Sequence, residues 1–219
     1  MISLIFLAGG SGSRMGTLIP KQFLPLGDKL VACHSFDLFA STAKIHQLVV
    51  VCDPAYQKFF KEKNKAVHFA LPGMRRQDSV YNGLEKCDPK ADLILIHDAA
   101  RPFLEPSHLA ALIETGFRVG AAALATPVSS TIKECDPLKI VKKTLPRENF
   151  WEMQTPQALW KGLLDLGFQF IRERNLQVTD DVAIAEILGH PVEIVPGSPR
   201  NFKLTTPFDL AVAQTLLGK

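Results

Sequence analysis

Short apolar runs alternate along this chain with stretches spaced like helices, and that alternation restricts the fold more than any other feature. Ile2 to Leu7, Gln47 to Cys52, Ala66 to Leu71, Asp92 to Ile96 and Ala121 to Ala125 read as strands. Between them, Asp53-Pro54 supplies an N-cap and a first-turn proline for a helix carrying Tyr56, Phe59 and Phe60. Pro72-Gly73 breaks the third run, and a helix from about Asp78 sets Val80, Leu84 and Cys87 on one face. A helix opening at Pro106 carries Leu109, Leu112 and Ile113. This order predicts a doubly wound α/β fold with a mostly parallel sheet, whose ligands bind beyond the carboxyl ends of the strands.

The pattern changes over residues 127–155. Thr131-Ile-Lys and Lys139-Ile-Val-Lys-Lys-Thr-Leu flank the turn-like Cys135-Asp-Pro137, which predicts a hairpin. Its lysines at 133, 139, 142 and 143 make it too polar for a core. The expectation is a protruding β-arm packed on a second subunit or on its own domain, because an isolated two-stranded ribbon is marginal. Helical spacing returns from Leu159 to Arg172 and in a Thr179-capped segment with Ile184, Ile187 and Leu188. A strand from Val192 to Val195 and a helix from Pro207 to Leu217 follow, the latter opened by the capping-box-like Thr206-Pro-Phe-Asp209.

With 219 residues, 47% hydrophobic and 21% charged, the chain has material for one domain spanning 1–219, the arm being an insertion at about 127–155. A net charge of +3 without long basic runs argues against nucleic acid and suits a small anionic substrate. Cys33, Cys52, Cys87 and Cys135 show neither paired nor zinc-finger spacing, and are expected as buried thiols in a reducing compartment. Ile2 to Ala8 is too short for a signal-peptide core, and no apolar run is long enough to span a membrane. The expected location is cytoplasmic, with no membrane partner.

Directly after the first strand comes Ala8-Gly-Gly-Ser-Gly-Ser-Arg-Met-Gly16, followed by Pro20-Lys21-Gln22. Gly9, Gly10, Gly12 and Gly16 free the backbone to turn its N–H groups onto an anion, and Arg14 and Lys21 add charge. The segment reads as a phosphate loop, although a plain surface turn would also use glycines. It is neither a Walker loop, which needs a Gly-Lys pair, nor a dinucleotide fingerprint, since Met15 stands where the third glycine belongs. His97-Asp98-Ala-Ala-Arg101-Pro102 follows the buried Asp92 to Ile96 run, so Asp98 is expected on the same rim. A carboxylate there can ligate Mg²⁺ beside a polyphosphate, or serve as an N-cap or an ion-pair partner of Arg101. His97 has no nucleophile to pair with and reads as a structural hydrogen-bonder.

The glycine loop, Pro20-Lys-Gln22, Asp78-Ser-Val80, His97-Asp-Ala-Ala-Arg-Pro102, Pro127-Val128 with Thr131, Arg147, Gln154-Thr-Pro-Gln157, Thr179-Asp180 and Asn201-Phe-Lys203 together resemble the 2-C-methyl-D-erythritol 4-phosphate cytidylyltransferase family, in its motif order and over nearly the whole chain. The resemblance implies a Rossmann-like nucleotidyltransferase that joins CTP and methylerythritol phosphate, releasing pyrophosphate, in non-mevalonate isoprenoid biosynthesis. It implies a homodimer joined through the arm. By the same resemblance Arg14 and Lys21 are catalytic, Ala8, Gly9, Gly10, Gly12, Gly73, Ser79 and Asp98 bind nucleotide, and Asp98 holds Mg²⁺. Arg101, Thr131, Arg147, Thr179 and Lys203 are implied to bind the second substrate.

Three positions depart from the family pattern: Gly9 where alanine is frequent, and Met74 and Ser130 where aspartate is. The glycine loop, Lys21-Gln-Phe-Leu and Thr205-Thr-Pro-Phe-Asp-Leu210 also resemble ribitol 5-phosphate cytidylyltransferases. Asp78-Ser-Val80, the second alanine of the Asp98 motif and Thr179-Asp180 favour methylerythritol phosphate. A non-catalytic nucleotide-binding module is the alternative of a different class, and would leave Lys21, Asp98, Arg147 and Lys203 without a shared purpose.

Overall fold

The computed structural model describes residues 1–10, 19–61 and 65–218. Gly12 and Arg14 lie outside the described residues. The chain opens with β1 (Ile2–Leu7), a small hairpin of β2 (Pro25–Leu26) and β3 (Lys29–Leu30), and helix α1 (Val31–Ser41). It continues through β4 (Gln47–Val51), β5 (Val67–Ala70), α2 (Arg76–Leu84), β6 (Leu93–Asp98), α3 (Pro106–Val119) and β7 (Ala121–Pro127). A second hairpin, β8 (Ile132–Cys135) and β9 (Val141–Leu145), precedes β10 (Trp151–Trp160). Helices α4 (Lys161–Arg174) and α5 (Ala183–Ile187), strand β11 (Glu193–Pro196) and helix α6 (Pro207–Leu217) complete it.

The main sheet has seven strands in the order β11-β7-β10-β6-β1-β4-β5. Strand β1 pairs in parallel with β4 and β6, β4 with β5, and β11 with β7, while β10 runs antiparallel to both β6 and β7. Alternate residues of each central strand enter opposite cores. Leu4, Phe6, Leu93 and Leu95 face α1 and α3, whereas Ile5, Val49, Ile94 and Ile96 face α2 and α4. Phe6 makes edge-on contacts with Phe36, Phe39 and Phe60 at ring-centroid distances of 5.7, 6.2 and 5.8 Å. Each buried phenylalanine contributes about 1.5–3 kcal/mol, and favourable ring geometry roughly 0.5–1.5 kcal/mol more per pair.

The expected doubly wound, mostly parallel sheet is therefore present, with differences at particular elements. No element is expected from sequence between residues 23 and 46, yet α1 buries Val31, Ala32, Ser35, Phe36, Phe39 and Ala40. Asp53 caps Ala55 N–H as expected, but the following segment is a 3₁₀ helix over Pro54–Phe59 that buries no residue. Helix α2 starts at Arg76 rather than Asp78, because the Asp78 carboxylate reaches back to the Arg75 backbone N–H and so sits inside the first turn.

The hairpin is present, but its ladder ends at Leu145, and residues 151–155 belong to β10 of the main sheet. Leu159 pairs with Ile94 and Ala121 inside β10, so α4 begins only at Lys161. Thr179 lies before α5 without capping it; Asp180 Oδ1 accepts from Ala183 N–H instead. Cys52 and Cys87 are buried as expected, whereas Cys33 is half-buried and Cys135 exposed on the hairpin. No helix among the described residues is long and apolar enough to cross a membrane.

Close contact between α3 and the antiparallel strand depends on Gly116, where an added Cβ would lie 2.8 Å from Ala158 Cβ and 3.2 Å from a Leu93 methyl. Gly116→Val should push the helix off β10 and destabilise the fold by about 1–3 kcal/mol, read as a lowered denaturant midpoint.

Candidate active site

A cleft of about 490 Å³ opens over the carboxyl ends of β1 and β6 and the loop after β5. Gly9 and Gly10, Gly73 and Ser79, and Lys21 and Lys203 line it. Buried Gln22 secures the start of the glycine loop, its Nε2 donating to Ala8 O at 2.7 Å and Gly10 O at 2.8 Å. An added Cβ at position 9 would stand 2.4 Å from Pro72 Cγ, so in this arrangement glycine lets the loop after β5 pack against the start of the glycine loop. At Gly73 a Cβ would come 2.4 Å from Asp78 Cβ, and the Gly73 N–H donates to Ser79 Oγ at 2.9 Å. The β5–α2 turn thus wraps onto the first turn of α2, whose Asp78 also pairs with the Arg75 guanidinium at 2.8 Å. Met74 is fully exposed at the rim.

Asp98, the last residue of β6, is the charge centre. Its Oδ2 lies 2.8 Å from Lys203 Nζ and 3.7 Å from Arg101 Nε, and its Oδ1 lies 3.3 Å from Arg76 Nε. Burial pushes its carboxyl up, but Arg76, Lys203 and Arg101 together outweigh that and hold it well below the usual carboxylate range. Arg76 reaches further, pairing two-pronged with Asp181 at 2.7 and 2.7 Å. Burial disfavours its charge, yet Asp181 and Asp98 raise the guanidinium's pKa above its ordinary value. Arg101 faces the protein more than the cleft, donating to Asn201 O at 2.8 Å and Met153 O at 3.4 Å.

The structure thus gathers Gly9, Gly10, Lys21, Gly73, Ser79, Asp98 and Lys203 around one cleft. Thr131, Arg147 and Thr179 are exposed and do not line it; Arg147 Nη1 donates to Ser129 O at 2.7 Å. Arg76, which lines the cleft, and Asp181, which pairs with it from behind, are residues that the sequence did not single out, and Gln22 was quoted only within Pro20-Lys-Gln22, without a role. Arg76 lies in a run, Gly73-Met-Arg-Arg-Gln-Asp78, whose glycine and aspartate were informative, but its two carboxylate partners are 22 and 105 residues away in sequence.

Among the described residues no group of three His, Cys, Asp or Glu side chains gathers to hold a metal. Asp98 is a single carboxylate, its side chain 9% exposed. With its Oδ2 already 2.8 Å from Lys203 Nζ, Asp98 forms no all-protein cage, and a Mg²⁺ there would have to bring phosphate and water oxygens as its other ligands.

The protein is thus an α/β domain whose seven-stranded mixed sheet carries a cation-lined cleft over its strand ends, with Gly9 and Gly10 on the rim. The family model described as 2-C-methyl-D-erythritol 4-phosphate cytidylyltransferase matches residues 2–219, and the chain belongs to that family. The chloroplastic enzyme of that name from Oryza sativa subsp. japonica is 45% identical over 222 residues, covering 100% of this chain and 75% of the rice protein. That of Chlamydia pneumoniae is 42% identical over 215 residues, covering 98% of each. Among solved structures, the Francisella tularensis enzyme superposes with a TM-score of 0.84 at 30% identity, covering 98% of both chains.

Two predictions follow from the charges. Arg76→Ala leaves Asp181, only 2% exposed, without its counter-ion and should cost about 3–5 kcal/mol, measured as a loss of unfolding free energy in denaturant. His97 is fully buried, and burial holds its imidazole down to about 3 from an ordinary 6.5. The unfolded chain therefore binds a proton that the folded chain refuses, so stability is intact above 6.5 and falls as pH drops towards about 3. Urea midpoints should decline steadily between about pH 7 and pH 4, and His97→Gln should flatten that decline.

Proposed function

We propose that this chain transfers the cytidylyl group of CTP to 2-C-methyl-D-erythritol 4-phosphate, giving 4-diphosphocytidyl-2-C-methyl-D-erythritol and pyrophosphate, a step of non-mevalonate isoprenoid biosynthesis. The observation that carries the reading is the convergence of Lys21, Lys203, Arg76 and Asp98 on one cleft beside Gly9 and Gly10, in a chain that matches the family from end to end. A phosphomonoester with a second pKa of about 6 is already largely dianionic at neutral pH, so its attack on the α-phosphate needs no protein base. The obstacle is the approach of two anions and the charge that builds on the α-phosphate and pyrophosphate oxygens. Lys21 and Lys203 lower it by fixed positive charge in a partly dehydrated cleft, and Arg14 in the glycine loop is assigned the same task.

Gly73 and Ser79 form the base pocket in this reading. The close approach of the Gly73 backbone to α2 leaves peptide groups rather than a side chain at its wall. Asp98 would hold Mg²⁺ together with the nucleotide's phosphates. Bound there, the ion supplies charge neutralisation on the triphosphate.

The assembly we propose is a homodimer in which the exposed hairpin acts as an arm, with Thr131 and Arg147 serving the partner's cleft and binding the second substrate's phosphate. Leu138, Ile140 and Val141 on that hairpin are 82%, 63% and 54% exposed, apolar surface that a second subunit would cover. We assign the single domain to the cytoplasm from its four cysteines without paired spacing.

Pyrophosphate release on mixing the protein with CTP, Mg²⁺ and 2-C-methyl-D-erythritol 4-phosphate tests the reaction. Turnover with that substrate exceeding turnover with ribitol 5-phosphate supports it, and nucleotide binding without turnover on either would make the chain a binding module. Lys21→Ala should lower kcat on the order of 10²-fold while melting near wild type. Lys21→Ala and Arg147→Ala homodimers should both be crippled, but mixed dimers carry one intact site, so verified subunit exchange should recover about one quarter of wild-type activity. No recovery would mean that Arg147 serves its own chain.

A further inference from the structure

The ladder between β10 and β6 ends at the Gln157–Ile96 pair, and an irregularity separates Met153 from Gln157 on the other side of β10. The backbone of His97 and Asp98 therefore has no β10 strand partner where the charge centre begins. Thr155 takes up the missing contact with its side chain. The Asp98 backbone N–H donates to Thr155 Oγ at 3.0 Å, and Thr155 Oγ lies 3.2 Å from His97 Nδ1.

On the far side of the ring, His97 Nε2 lies 3.2 Å from Arg101 O. A carbonyl only accepts, so Nε2 carries the proton, Nδ1 is the bare acceptor, and the Thr155 hydroxyl donates to it while accepting from Asp98. The circuit then closes. Arg101 Nη1 donates to Asn201 O at 2.8 Å, and Asn201 Nδ2 donates to Thr155 O at 2.9 Å. Thr155, His97 and Asn201 are all buried, and the ring stacks on Phe6 at 5.9 Å between centroids. Two residues beyond Asn201 stands Lys203, whose Nζ meets Asp98 at 2.8 Å.

From this closed circuit we infer that Thr155 and His97 are positioning residues, which fix the end of β6 and the Asn201–Lys203 segment relative to each other and thereby set the Asp98–Lys203 pair. The inference deepens the reading of the cleft as a nucleotidyl-transfer site and rests on it for its kinetic consequence. Neither residue touches the cleft. Their action is to give Asp98 and Lys203 one geometry, so that the charge presented to the phosphates needs no rearrangement during reaction.

Thr155→Val keeps the side chain's shape but removes the hydroxyl that joins Asp98 to His97, while Thr155→Ser keeps the hydroxyl. Partners that orient a metal's ligands are worth about 10–100-fold in activity, and the lower end of that range sets the scale expected for a contact that orients Asp98. Thr155→Val should lower kcat at saturating CTP and polyol phosphate by at least about 10-fold, well below its melting temperature, and Thr155→Ser should recover most of that loss. A merely structural threonine would lower the melting temperature in the valine variant without changing kcat. Wild-type kcat in Thr155→Val, or a serine variant as slow as the valine one, overturns the inference.

Imidazole ¹⁵N shifts of the wild-type protein give a test that needs neither a folded variant nor turnover. His97 should be the Nε2–H tautomer with a hydrogen-bonded Nδ1. The Nδ1–H tautomer would overturn the circuit even if the enzyme is fully active. If wild-type protein shows no turnover at all, the activity reading fails on its own, and the tautomer still decides the circuit.

Discussion

The charge balance at Asp98 is the interaction on which the rest of the site depends. A carboxylate at the end of a fully buried strand would be costly alone, and here it is the shared counter-ion of Arg76, Arg101 and Lys203, which arrive from α2, from the turn after β6 and from the segment before α6. Each cation is thereby tied to one point of the sheet. Arg76 extends the tie to Asp181 and so fixes the loop before α5 as well. The cleft's shape and its electrostatics have the same origin, since the ion pairs that neutralise Asp98 are also what draws the surrounding segments together.

Strand β10 supplies the second constraint. Inserted antiparallel between β6 and β7, it brings Gln154, Thr155 and Gln157 to the carboxyl end of β6, where a parallel neighbour would have brought a strand's carboxyl end and the loop after it. Gln157 uses the position to organise the acidic loop, its Oε1 accepting from Asp181 N–H at 2.8 Å and Val182 N–H at 3.0 Å. Asn201 couples the same strand to the Lys203 segment through Gln154 Oε1 at 3.1 Å and Thr155 O at 2.9 Å. One reversed strand thus connects the rim of the cleft to both C-terminal segments.

Much of this was legible in the sequence, and the physical reasons separate what was from what was not. The strands β1, β4, β6 and β7, the helix α3 with its first-turn proline, and the capping box of α6 are local signals, in which apolar runs and cap residues act within a few residues of one another. Glycines 9 and 73 were legible as a loop glycine and as part of a strand-breaking Pro-Gly pair, but the close approaches they allow, to Pro72 and to Asp78, show only in the fold. The start of α4 was not, since Leu159 and Leu164 are both buried and an apolar spacing does not tell a covered strand from the helix that follows it. Helix α1 has no side-chain cap to announce it, only the spacing of Ala32, Phe36, Phe39 and Ala40.

The sequence by itself therefore determined the α/β class and the placing of Asp98 at a strand end, because each follows from residues adjacent in the chain. Only the tertiary structure decided that β10 runs against its neighbours, that Arg76 rather than a nearer cation joins Asp98 to Asp181, and that Thr155 completes the end of β6. Those outcomes depend on hydrogen bonds and ion pairs between residues 22 to 105 positions apart, whose partners are chosen by the packed sheet and leave no mark in local periodicity.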